Sequence, residues 1–131
     1  MYTIQKIEQE ILASVKAALG KQHTPTLDEL AVPPDLKWGD FAFPCFKFAQ
    51  ALGRNPAEIA AELAPKIEPK GFIAKAEARG PFVNFFISAG RLARELGKEI
   101  GLRGVRYGHW DVGEGKRVMV EYAQFNTHKA I

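Results

Sequence analysis

The chain has 131 residues, 47% of them hydrophobic and 25% charged, with a net charge of +3; this is the make-up of an ordinary globular domain and excludes the disordered and fibrous classes. No apolar run approaches the roughly 18 residues that span a bilayer, and the N-terminus carries no signal-peptide pattern, so a cytoplasmic protein with no membrane partner is expected. Cys45 stands alone, cannot form an internal disulfide and has no histidine near it in sequence, so it reads as a small buried apolar residue and not as a catalytic thiol.

The charge is unevenly spread. Residues 1–65 carry six Lys or Arg against eight Asp or Glu, whereas residues 66–131 carry twelve against seven. A polyanion would be drawn to the second half, although taken alone the excess favours the plainer reading of a solvated basic face.

In chain order, Thr3 is placed to cap a first helix whose residues Ile4, Ile7, Ile11, Leu12, Val15 and Leu19 recur at helical spacing, with Gly20 to end it. Residues 27–32 read as a short strand stopped by Pro33 and Pro34, which cannot donate to a ladder. After a turn around residues 37–40, a second helix is expected from near Pro44 to Gly53. The third helix is the best-signed element. Asn55 as cap, Pro56 at the first helical position and Glu58 three residues after the cap form a capping-box-like start, and Ile59 and Leu63 share a face.

Residues 72–78 alternate, with Ile73, Lys75 and Glu77 on one side and the alanines 74, 76 and 78 on the other, which is a strand. A turn at residues 79–81 leads to a second alternating run, residues 82–87. Period two sets Phe82, Asn84 and Phe86 on one face and Val83, Phe85 and Ile87 on the other. Ser88 caps a fourth helix with Leu92, Leu96 and Ile100 at four-residue spacing, closed by Gly101. Residues 104–115, with four glycines and no periodicity, read as a linker, and residues 118–122 as a β-strand running into a polar loop.

These elements predict an α+β fold, a small antiparallel sheet with helices packed on one face and the other face open. Residues 1–103 are expected to form this domain, 104–116 the linker, and 117–131 the first strand and loop of a second, truncated α/β domain, because a buried parallel strand needs a crossover and a partner that the chain does not supply.

An open sheet face carrying aromatic rings and a side-chain amide is suited to unpaired bases. Every base has a π-face on which a ring can stack, and an amide offers both a donor and an acceptor to a base edge. Phe82 and Asn84 are the candidates, with Arg79 on the adjoining turn. The competing reading is that Phe82 and Phe86 complete the core while Asn84 bonds backbone, and periodicity alone favours it. Gly113 to Lys116 holds only a fragment of a phosphate-loop pattern and precedes a strand. His23, His109 and His128 lack the spacing of metal ligands, so no metal site is proposed. Asp40 beside Gly39 reads as a turn or capping residue and not as a general acid. No nucleophile–base pair can be assembled from the chain, which argues against a complete small enzyme.

Four blocks bring a family into view. Residues 39–44 (Gly-Asp-Phe-Ala-Phe-Pro), residues 55–60 (Asn-Pro-x-Glu-Ile-Ala) and residues 80–85 (Gly-Pro-Phe-Val-Asn-Phe) follow the order and approximate spacing of the N-terminal additional domain of arginyl-tRNA synthetases. Glu121-Tyr122 with Asn126-Thr127-His128-Lys129 resembles the strand and loop that precede the class I His-x-Gly-His signature of that family. Where the family often has Ser-Ser-Pro before the Asn, this chain reads Ala123-Gln124-Phe125, so no proline fixes φ there.

The resemblance implies an N-terminal domain of an arginine–tRNA ligase, the enzyme that joins L-arginine to tRNA(Arg) with ATP and Mg²⁺ through an arginyl-adenylate. It implies that Phe82 and Asn84, with Arg79 a looser match, contact the tRNA D-loop, which reverses the weighting drawn from periodicity. It further implies that Asn126 belongs to the arginine and adenylate region, that His128 and Lys129 border the ATP site, and that Lys129 helps to neutralise the phosphates. The chain itself is expected to be a monomer that binds tRNA, holds no cofactor and catalyses nothing. The alternative is a free-standing α+β module whose aromatic face binds RNA or a protein.

Overall fold

A computed structural model describes residues 1–21 and 23–121. Helix α1 spans Thr3–Leu19 and buries Ile7, Ile11, Val15 and Leu19, one residue per turn along a single stripe. Ile4, expected on that stripe, is exposed. Thr3 is the first helical residue and not the cap. Its backbone N–H and its hydroxyl both donate to Glu99 Oε2, at 2.9 and 2.7 Å, while Gln5 Oε1 accepts from the Tyr2 N–H at 2.8 Å.

The strand expected over residues 27–32 is not formed as such. Glu29 accepts from the Thr26 N–H at 2.8 Å and holds Leu27–Glu29 in a 3₁₀ turn, which leaves only a bridge in which Ala31 and Ala42 exchange backbone hydrogen bonds of 2.8 and 2.9 Å. Next comes strand β1, Phe41–Pro44, where a helix had been expected to begin; helix α2, Phe46–Leu52, starts only after it. An aromatic run of this kind satisfies both periods, and the strand forms because β3 lies alongside to take its ladder. Helix α3, Pro56–Leu63, begins where its sequence predicts, with Asn55 Oδ1 accepting from the Ala57 N–H at 3.0 Å and Pro56 in the first turn, but Glu58 does not close the expected capping box.

Strands β2, Ile73–Arg79, and β3, Phe82–Ile87, form a hairpin, and β1 pairs with the other edge of β3, giving the antiparallel order β1-β3-β2. The two-residue turn places Gly80 at φ +54° before Pro81, the positive-then-negative order of φ that a type II′ hairpin turn requires. A register shift between Ile73 and Lys75 corrects the simple alternation read for β2. The extra residue reverses the phase, so Ile73 and Ala76 both meet the core. In β3 the alternation holds: Val83 and Phe85 are fully buried.

The core lies between this face and helices α1, α2 and α3, around Phe43, Phe48 and Phe85 with Ile11, Val15, Ile59 and Leu63. Burying each phenyl ring contributes about 1.5–3 kcal/mol. Cys45 is fully buried at the start of α2, and burial pushes its thiol pKa up to about 12. Helix α4, Ala89–Arg103, is capped by Ser88 and runs past Gly101 to Gly104. Its inward stripe holds Leu92 and Glu99, whereas Ile100 is exposed. Gly104–Arg106 and Asp111–Gly113 form 3₁₀ turns, and the residues between them fold back on the start of α1: Trp110 stacks on Tyr2 at 4.9 Å and the Tyr2 hydroxyl donates to the His109 carbonyl at 2.7 Å. Residues 117–121 have no regular structure, and the rest of the expected terminal strand and its loop, including Asn126, His128 and Lys129, lie outside the described residues. Among the described residues no helix is long and apolar enough to cross a membrane.

Candidate nucleic-acid interface

The outer face of the hairpin reads in rungs. Cross-strand pairing sets Arg79 and Pro44 beside Phe82, then Glu77 and Ala42 beside Asn84, then Lys75 beside Phe86. This face is not open along its length, as periodicity had suggested. Residues 31–38 cross over it, tied down by the Ala31–Ala42 bridge and by the Pro33 ring, which is buried. Between this crossing segment and the hairpin lies a groove of about 480 Å³, lined by Val32, Pro34, Trp38, Arg79, Phe82 and Asn84 among others. That volume falls within the usual range of small-molecule sites.

The three residues read from sequence therefore meet at one place. Phe82 is half-buried and presents its ring to the groove, with the Phe46 ring set edge-on against it at 5.7 Å between centroids. Asn84 is only 4% exposed, so it does not point into open water; it lies at the groove floor, and its Oδ1 has no hydrogen-bond partner. The reading in which its side chain bonds backbone fails for that oxygen. A buried acceptor left unpaired costs about 1–3 kcal/mol. Arg79 is exposed at the rim, its guanidinium carbon 4.1 Å from the centroid of the Trp38 ring. Trp38 escaped the sequence reading because it sits in a turn whose periodicity carries no signal.

Phe86 shares the outer face without lining the groove; Lys75 lies over its ring at 4.3 Å and pairs with Glu77 at 2.9 Å.

Local geometry explains how the crossing segment reaches this position. Gly39 takes φ +122°, and a Cβ there would lie 2.9 Å from the Phe85 carbonyl oxygen, so only glycine allows the turn to press against β3. Asp40 then donates its N–H to the Phe85 carbonyl and accepts from the Ile87 N–H, both at 2.8 Å. This is the turn role expected for it. Just before this segment in the chain, Glu29 is almost fully buried; burial alone would raise its carboxyl pKa, but the Thr26 N–H, His23 at 3.0 Å and Lys47 at 3.6 Å together hold it below the ordinary value. His23 is thus engaged by a carboxylate and by the Phe48 ring, and among the described residues no group of three or more His, Cys, Asp or Glu could hold a metal ion.

Residues 5–87 match the family model described as "Arginyl tRNA synthetase N terminal domain". The arginine–tRNA ligase of Clostridioides difficile is 43% identical over 111 residues, 85% of this chain and 19% of that protein. The arginine–tRNA ligase of Lactococcus lactis subsp. cremoris is 37% identical over 125 residues, 95% of this chain and 22% of its own length. Among solved structures, the arginyl-tRNA synthetase of Thermus thermophilus superposes with a TM-score of 0.57 at 28% identity, over 72% of this chain and 15% of that one. The chain thus spans about a fifth of the length of the curated relatives it matches.

Proposed function

Since the chain belongs to the arginyl-tRNA synthetase N-terminal domain family, we propose that it is the tRNA-recognising part of an arginine–tRNA ligase and that its groove receives an unpaired base of the tRNA(Arg) D-loop. Phe82 supplies the surface on which the base stacks. The Asn84 side-chain amide, on the floor of the same groove, hydrogen-bonds the base edge. The basic half of the chain draws the polyanion and orients it.

The observation that carries this reading is that Phe82 and Asn84, whose buried Oδ1 has no protein partner, line the same groove. The complete reaction, joining L-arginine to tRNA(Arg) in the cytoplasm with ATP and Mg²⁺ through an arginyl-adenylate, is assigned to the longer ligase. Asn126, His128 and Lys129 are assigned to its arginine and ATP region by resemblance alone. This chain binds and orients RNA and supplies no chemistry, so an ATP–pyrophosphate exchange assay on it with arginine and tRNA should give no turnover. The direct test is titration of the chain with tRNA(Arg) and with a tRNA altered in the D-loop. Tighter binding of the first supports the reading; equal binding contradicts it.

A further inference from the structure

Resting on that reading, a second function separates from base recognition along the rim of the same groove. Arg79 is the last residue of β2, immediately before the Gly80–Pro81 turn, and pairs across the hairpin with Phe82. It is exposed, and among the described residues it makes no ion pair. The nearest acid on its own strand face, Glu77, is taken by Lys75 at 2.9 Å. What holds the Arg79 guanidinium in place is Trp38, whose ring centroid lies 4.1 Å from its central carbon. A guanidinium stacked on an indole keeps its planar fork of N–H donors free, with less rotamer freedom to lose on binding. A planar fork of donors is matched by a phosphate, which it can bind through two parallel hydrogen bonds.

Trp38 comes from the segment that crosses the outer face, and Arg79 from the hairpin. Their contact therefore fixes one wall of the groove relative to the other, at the mouth of the cavity whose floor is Asn84. We propose that Trp38 is a positioning residue that holds the Arg79 guanidinium at the groove rim, where Arg79 binds the RNA phosphate adjoining the base seated over Phe82 and Asn84. Base and phosphate are then read by different residues on one rigid frame. RNA is favoured over an acidic peptide because the arginine stands next to an aromatic ring and an unpaired amide acceptor, a combination that suits a nucleotide and not a run of carboxylates.

The test is a double-mutant cycle on the full chain with a tRNA(Arg) transcript, Trp38→Ala, Arg79→Ala and the pair, each measured across a salt series. Arg79→Ala should weaken binding about tenfold, the lower end for a hydrogen bond to a charged group, and should reduce the slope of log affinity against log salt by about 0.7–0.9, the share of one phosphate. Trp38→Ala should reproduce both changes, and the double variant should be no worse than either alone. Trp38→Phe should keep most of the affinity, since a ring remains, while Arg79→Lys should recover the salt slope without full affinity.

Losses that multiply in the double variant, or an unchanged salt slope in Arg79→Ala, would overturn the proposal. If Trp38→Ala melts early, the cycle is run with Trp38→Leu, and the same criteria apply. Displacement of tRNA by a poly-glutamate peptide at matched charge would favour a protein ligand and also overturn it. The two readings fail separately: Phe82→Ala and Asn84→Ala without effect would sink base recognition, whereas their loss of binding with no Trp38–Arg79 coupling would sink only this one.

Discussion

Phe82 and Asn84 stand two residues apart on one face of β3 and open into the same groove, the ring at its side and the amide at its floor with an oxygen that no protein group satisfies. An arrangement that leaves a buried acceptor unpaired lowers stability, and its retention next to an accessible ring is what a site for a flat, hydrogen-bonding ligand requires.

Stability and binding should therefore move in opposite senses at Asn84. Asn84→Ala removes an unsatisfied acceptor, so its melting temperature should equal or exceed that of the parent, while its affinity for tRNA(Arg) falls. A calorimetric scan beside a binding titration checks both, and a large drop in melting temperature would show that the amide is instead a structural group.

Phe82→Ala should weaken tRNA(Arg) binding by about 1–3 kcal/mol through lost stacking. Phe82→Tyr, which keeps the ring, should retain most of it. Because Phe82 is only half-buried and lies outside the main core, the unfolding midpoint in urea should shift far less than for Phe85→Ala, which removes a fully buried ring and should cost about 3–5 kcal/mol.

The groove also depends on Gly39. Gly39→Ala places a Cβ against the Phe85 carbonyl in a conformation that L residues rarely adopt. It should destabilise the fold by about 1–3 kcal/mol and weaken RNA binding as well, since the segment bearing Trp38 must move. A variant that binds normally would separate the crossing segment from the site.

A pH dependence follows from Glu99. The Thr3 hydroxyl bond, ahead of the Thr3 N–H and Arg103, holds its carboxyl below the ordinary glutamate value. Because the folded-state pKa is the lower one, this stability is complete above the unfolded value, near 4.5, and is lost as pH falls through the folded one. Melting temperature should drop as the solution is acidified from pH about 5. Glu99→Gln should be less stable at neutral pH and show a shallower acid limb; an identical limb would place the titration elsewhere, with Glu29 the next group to test, its carboxyl also held low.

How much of this was legible in sequence depends on where each signal lives. Helix α3 was readable because Asn55 and Pro56 act within one turn of backbone. The alternation of β3 was readable because Val83 and Phe85 face a core while their neighbours do not. Strand β1 was not, since Phe41, Phe43, Phe46 and Phe48 fit either period until β3, some forty residues away, supplies the ladder. The bulge at Ile73–Lys75 inverted half of β2 for the same reason. Phe82 and Asn84 were legible as one face, but Arg79 reads as a turn residue and instead ends β2, and the groove was not legible, because residues 31–38 reach it through a glycine contact and two prolines that leave no periodic trace. Thr3 and Glu99, ninety-six positions apart, carry no local mark of their pairing. Asn126, His128 and Lys129 fall outside the described residues.

Base recognition through Asn84 meets its sharpest test in equilibrium titration of the native chain and of Asn84→Ala, each with tRNA(Arg) and with the same tRNA in which one unpaired D-loop base is replaced. The native chain should prefer the unaltered tRNA for at least one of these replacements, and Asn84→Ala should lose that preference, binding both at the weaker level. Equal affinity of the native chain for every tRNA in the set, or a preference that survives in Asn84→Ala, would contradict recognition of a base at this groove.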